Sequence, residues 1–163
     1  MSRNYQERVF SGILITIVGF VGIALLGVFI YSKIVPNVFE ETGAEWYFLG
    51  IGVFLLLAAA NFAFLNIRIS LNGVTVSYGL ISRNIPINNV AGFYQDETSN
   101  IAYGGYGIRV GWVHGKRRLV YNVIGTPRIV IQQRLQPDHE FVFSTRHPDL
   151  VMRTLSEVTG IQK

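Results

Sequence analysis

Two blocks of the chain carry no charged residue: 24 residues at positions 9–32 and 22 residues at positions 46–67. The first block is apolar on every helical face and lacks the one-sided stripe of a surface helix. At about 1.5 Å per residue the blocks reach roughly 36 and 33 Å, enough to cross a hydrocarbon core about 30 Å thick. The pattern therefore predicts two transmembrane helices, at residues 11–32 and 46–66, joined by a short connection in which Pro36 and Gly43 break helix.

After Asn66 the pattern switches to alternation. Ile67, Ile69 and Leu71 interleave with Arg68, Ser70 and Asn72. Asn72-Gly73 supplies a hairpin turn, and Val74, Val76 and Tyr78 interleave with Thr75 and Ser77. Short runs follow at 83–87, 90–95, 107–113, 118–124, 128–134 and 141–144, most of them bounded by Gly, Pro, Asn or Asp. Such spacing predicts a small antiparallel barrel or sandwich. The last element is helical. Pro148 suits a first turn, Asp149 its positive end and Gly160 its end, with Leu150, Val151, Leu155 and Val158 near one face. The expected division is a stub and helical hairpin at 1–66 and a mainly-β domain at 67–163.

Composition sharpens this picture. Of 163 residues, 50% are hydrophobic and only 15% charged, against about a quarter charged in ordinary soluble domains. Cysteine is absent, which removes disulfides, thiolate nucleophiles and Cys-type zinc sites. Arg3 and Arg8 precede the first block, Glu40, Glu41 and Glu45 lie in the connection, and residues 67–163 carry 11 Lys/Arg against six Asp/Glu. The bias of Lys and Arg predicts a multi-pass protein of the cytoplasmic membrane with both termini in the cytoplasm. The apolar stretch is too long for a typical signal peptide, and no Ala-x-Ala site follows it.

Neither block holds an ionisable group at depth, so an ion pathway built from this chain alone is not expected. Gly12, Thr16, Gly19 and Gly22 gather on one side of the first helix. They are candidates for close packing against the second helix or a partner, with Asn61 as a further hydrogen-bonding candidate. Gly111 to Lys116 imitates a phosphate-cradling loop, but its glycines are one residue too close and Arg117 replaces the required Ser or Thr, so a hairpin turn is expected. Gly105 and Gly107 lack a third glycine and lead into a strand, where a bulge or close backbone approach suits them better than a dinucleotide. His114, His139 and His147 have no paired ligand spacing. Asp96 and Glu97, like His139 and Glu140, are neighbours that point apart on a strand. No catalytic set, metal site or cofactor motif emerges. Lys116, Arg117 and Arg118 form the densest basic run. Placed at a loop tip, they are the candidate contacts for anionic lipid or a partner. No helix presents a basic face to nucleic acid.

Three segments carry a family resemblance. Ile85-Pro86-Ile87 followed by Val90 resembles an "Ile-Pro-x-x-x-Ile" strand. Tyr103-Gly104-Gly105-Tyr106-Gly107-Ile108-Arg109 resembles a "Gly-Gly-x-Gly-Ile-Arg" segment. Phe141-Val142-Phe143-Ser144-Thr145-Arg146-His147-Pro148-Asp149-Leu150 resembles a "Ser-Thr-Arg-x-Pro-x-x-Leu" approach to a helix. In this order, over about residues 64–160, they resemble the bacterial and archaeal two-span membrane proteins with a pleckstrin-homology-like domain. That resemblance implies a bent antiparallel sheet of about seven strands capped by the C-terminal helix. The first hairpin, 67–78, carries only Arg68, so the phosphoinositide grip of the lipid-binding eukaryotic relatives has no support here. A polar stretch, 134–139, replaces the usual tight turn before the last strand. The expectation is a non-enzymatic anchored binding protein whose partners are membrane lipids and other membrane subunits or a second copy, with no small-molecule substrate identified. An accessory subunit of a larger complex and a standalone scaffold or sensor are the two competing roles.

Overall fold

The alternation that emerges from the second apolar block sets the architecture. The computed structural model describes residues 4–35, 43–99, 103 and 105–161; Arg3, Pro36, Glu40, Glu41 and Gly104, on which parts of the sequence reading rest, lie outside these residues. The described residues form β1 (Tyr5–Phe10), α1 (Ile13–Ile34), α2 (Glu45–Phe62), β2 (Phe64–Ser70), β3 (Gly73–Tyr78), β4 (Ile81–Pro86), β5 (Val90–Asp96), β6 (Gly107–Val113), β7 (Lys116–Asn122), β8 (Arg128–Gln133), β9 (His139–Ser144) and α3 (Pro148–Thr159). The chain divides into two units: the helical hairpin Ser11–Ala63, and a sheet domain made of the remainder.

In the hairpin, α1 and α2 are both long and apolar enough to cross a membrane. They meet at two glycines. A Cβ on Gly22 would stand 3.1 Å from the Gly52 carbonyl oxygen, and one on Gly52 would stand 3.1 Å from that of Gly22. Missing side chains thus let the backbones touch, with Leu26 and Leu56 closing over the crossing. Near the connection, Lys33 pairs with Glu45 at 3.2 Å and lies 5.1 Å from the Trp46 ring centroid. The large side chains on the outside of the hairpin, Phe20 and Phe54 among them, are exposed.

The sheet domain corrects three expectations. Residues 5–10 belong to it: β1 pairs antiparallel with β2 from Tyr5↔Ile69 to Phe10↔Phe64. The charges of Glu7 and Arg8 make this short strand look like an anchor's flank. The second helix ends at Phe62, four residues before the expected boundary, because Phe64 and Leu65 are apolar strand positions that prolong the helix's hydrophobic run. The domain is also not wholly antiparallel. A meander β1-β2-β3-β4 forms one sheet, and the second has the order β5-β8-β9-β7-β6, with β7 and β9 parallel. Alternation in sequence does not distinguish parallel from antiparallel partners.

The core forms from the inward parity of both sheets. Leu65, Ile67, Val74, Val76 and Ile85 come from the first, and Ile129, Ile131, Phe141 and Phe143 from the second. An aromatic row, Tyr78, Tyr121, Phe141 and Phe143, links the sheets at centroid spacings of 5.3–6.0 Å. Val151 and Leu155 of α3 are fully buried, and Gly160 ends the helix at φ 72°, a left-handed conformation that glycine adopts without strain.

Candidate functional site

Strand alternation sends Arg117 and Arg118 to opposite faces of the second sheet. Arg118 does not sit at a tip: the turn is His114-Gly115, both at positive φ, and Arg118 lies two residues into β7 with its side chain 4% exposed. On the same sheet face, register places Glu140 beside Arg118 and Arg128 opposite Asp96. The result is a buried charge network. Arg118 Nε donates to Glu140 at 2.7 Å. Its Nη1 donates to Tyr103, Thr98 and Asp96 at 2.5, 3.1 and 3.3 Å, and its Nη2 to the Tyr94 hydroxyl at 2.7 Å. Arg128 Nε donates to the other Asp96 oxygen at 2.8 Å, and its Nη2 to the Thr98 carbonyl. Glu140 also accepts from Lys116 at 2.9 Å and Gln132 at 3.1 Å.

Desolvation and bonding compete at Asp96, Glu140, Tyr94, Tyr103 and Arg118. Burial pushes both carboxyls up, but Thr98 and Arg128 hold Asp96 below its ordinary value, and Lys116, Gln132 and Arg118 do the same for Glu140. Burial raises Tyr103 and drives Tyr94 up to about 12, the latter against the pull of Arg118. Arg118 is stabilised in its charged form by Tyr103 and Glu140 despite its burial. Three cations, Lys116, Arg118 and Arg128, therefore face two carboxylates with every guanidinium nitrogen of Arg118 engaged, and the phenols stay protonated at neutral pH. The arrangement locks strands β5, β7, β8 and β9 together. Asp96 and Glu140 are each shared between two cations or a cation and neutral donors within the domain.

The basic run is therefore divided three ways. Lys116 is partly exposed and spent on Glu140, Arg118 is sealed, and Arg117 remains at the surface on the opposite face. The phosphate-loop lookalike is a two-residue hairpin turn between Val113 and Lys116. Gly105 and Gly107 answer to positive φ of 108° and 84°, with open space where a Cβ would stand, so close approach is not their role. Among the described residues no group of three or more His, Asp and Glu is placed to hold a metal ion.

In the hairpin, Gly22 is at the helix crossing and Gly19 faces Ala59, so the second helix already occupies these two. Gly12 caps α1 at φ 71°, and Thr16 is exposed with its hydroxyl turned back to the Gly12 carbonyl at 3.4 Å. Asn61 lies partly covered in the last turn of α2. The structure thus does not gather Gly12, Thr16 and Gly19 into a free face.

Glu7 was not a sequence candidate. Its carboxylate accepts from Thr145 Oγ1 at 2.5 Å, from the Arg146 amide at 2.8 Å and from the Tyr5 hydroxyl at 2.7 Å. The Ser-Thr-Arg segment before α3 therefore fastens β1 to the start of the helix. No family model, curated protein or solved structure matches the chain.

Proposed function

We propose that this protein is a two-span membrane anchor carrying a non-enzymatic, pleckstrin-homology-like binding domain in the cytoplasm, and that it serves as an accessory or assembly subunit of a larger membrane complex. The observation that carries this reading is the outer surface of the hairpin. Only 6% of the first span's most apolar window and 11% of the second's are buried, whereas the core helix of a soluble protein would be mostly covered. Lipid or the apolar face of another membrane subunit satisfies that surface. Tyr31, Trp46 and Tyr47, exposed near the connection, suit the headgroup level.

Support for the domain type is the order of the three motif segments, two sheets and a C-terminal helix that touches β2 of one and β5 and β8 of the other; the parallel β7–β9 pair is a departure from the family's pattern. The standalone-sensor role is weakened in its original form, since Lys116 and Arg118 are spent within the domain. The accessory reading is tested by tagging the C-terminus, extracting native membranes gently and identifying co-purifying proteins by mass spectrometry. A near-stoichiometric set of membrane proteins is the expected result. Recovery of a clean monomer or homo-oligomer overturns it.

A further inference from the structure

The face of the second sheet opposite the charge network borders a cleft of about 280 Å³. Its polar wall is formed by Arg83 on β4, Arg117 on β7, His139 on β9 and Gln136 in the turn before β9, and its floor includes Leu119 and Phe141. These residues come from both sheets, so the cleft is a product of the tertiary fold rather than of one loop.

Its charge is unbalanced. Glu140 also borders the cleft, but its carboxylate is turned to the other face, where Lys116, Arg118 and Gln132 hold it. Among the described residues neither Arg83 nor Arg117 has an acidic partner within ion-pair distance, in contrast to Arg118 and Arg128. Arg83 Nε is buried and has no hydrogen-bond partner. A buried guanidinium N–H without an acceptor costs free energy that a bound anion recovers. Two arginines lining one cleft give it a positive charge that an anion would offset.

We infer that this cleft binds a phosphate monoester, through Arg83 and Arg117. A monoester carries close to two negative charges at neutral pH and three acceptor oxygens, matching two guanidiniums better than a carboxylate's single charge. The volume leaves room for a small group attached to the phosphate, against the apolar floor. The site borders the first hairpin, since Arg83 on β4 pairs with Val76 of that hairpin, but its cations lie outside it. It goes beyond the subunit role proposed above and stands whether or not partner subunits exist, since it is read from the domain alone.

The test uses the full chain in phosphatidylcholine nanodiscs and measures retention of radiolabelled inorganic phosphate by equilibrium dialysis, with ionic strength held constant by chloride. The expected result is saturable retention of one phosphate per chain, weakened about tenfold or more in Arg83→Gln and in Arg117→Gln. Arg109→Gln, an exposed cation of the opposite strand parity, keeps full retention. Arg117 is at the surface, so its variant carries the test even if Arg83→Gln fails to fold. Adding phosphatidic acid to the nanodiscs separates the sources: displacement of the labelled phosphate assigns a lipid headgroup, and undiminished retention assigns a soluble monoester. No retention above empty nanodiscs, or retention that Arg117→Gln leaves intact, overturns the site.

Discussion

Arg117 and Arg118 are neighbours on one strand, yet the two faces of the sheet treat them in opposite ways. On one face Arg118 is sealed among Asp96, Glu140, Tyr94 and Tyr103, and each donor nitrogen is used. On the other, Arg117 stands with Arg83 at a cleft where, among the described residues, neither has a carboxylate within ion-pair distance. The difference shows that charge density along a sequence says little about a basic run's role. Strand parity assigns each side chain to a face, and the partners on that face decide whether the charge is structural or available.

The comparison breaks most visibly at Arg118. Arg118→Met is expected to destabilise the sheet domain by about 3–5 kcal/mol, because it strands Glu140 and Asp96 in a dry interior with fewer donors. Chemical denaturation monitored by circular dichroism checks this, with the parent chain in the same detergent. A loss below about 1 kcal/mol would show that the network contributes little to the fold.

Acid titration should act on the same face more gradually. Asp96 and Glu140 are held below their ordinary values in the folded chain, so each contributes stability in full above the unfolded carboxyl range of about 4. That contribution is lost as pH falls through their depressed folded values. The melting temperature is expected to be flat between about pH 7 and 5 and to fall below about 4. In Arg118→Met the fall should be shallower, since the carboxyls have lost one of the cations that lower them. An unchanged acid slope in that variant would separate Arg118 from the titration.

Much of the fold was legible because periodicity is a local signal. The Asn72-Gly73 turn, the strand runs and the helix from Pro148 to Thr159 lie within about two residues of their expected places, as element boundaries do when alternation is strong. The hidden elements were those whose pattern runs into another. Phe64 and Leu65 prolong the apolar run of α2, and β1 carries two charges beside a span. The β7–β9 pairing depends on contacts that no local pattern records. The charge network left one usable sign: Arg118, Arg128 and Glu140 share strand parity with the buried Val120, Val130 and Val142, where an unpaired charge would be intolerable. Their mutual pairing could have been expected from that, but not its geometry. Gly52 meets Gly22 at the helix crossing, a pairing the sequence does not mark because a lone glycine in an apolar helix has no local signature. The Arg83–Arg117 cleft was invisible for a different reason, since its members are 34 positions apart and meet only through packing of two sheets.

The smallest expected effect sharpens the contrast most. Arg83→Gln and Arg117→Gln should leave stability within about 0.5 kcal/mol of the parent in phosphate-free buffer, because among the described residues neither cation has an acidic partner to lose. A slight gain is expected for the double variant, in which two like charges no longer face one cleft. Phosphate should then raise the melting temperature of the parent but not of the double variant, since only a chain that binds the anion gains stability from its concentration. The measurement is a thermal melt of both chains across a phosphate series at constant ionic strength. A loss of more than about 1 kcal/mol in either single variant would mean that the open face, like the sealed one, spends its arginines on the fold. The two faces would then differ in solvent exposure and not in role.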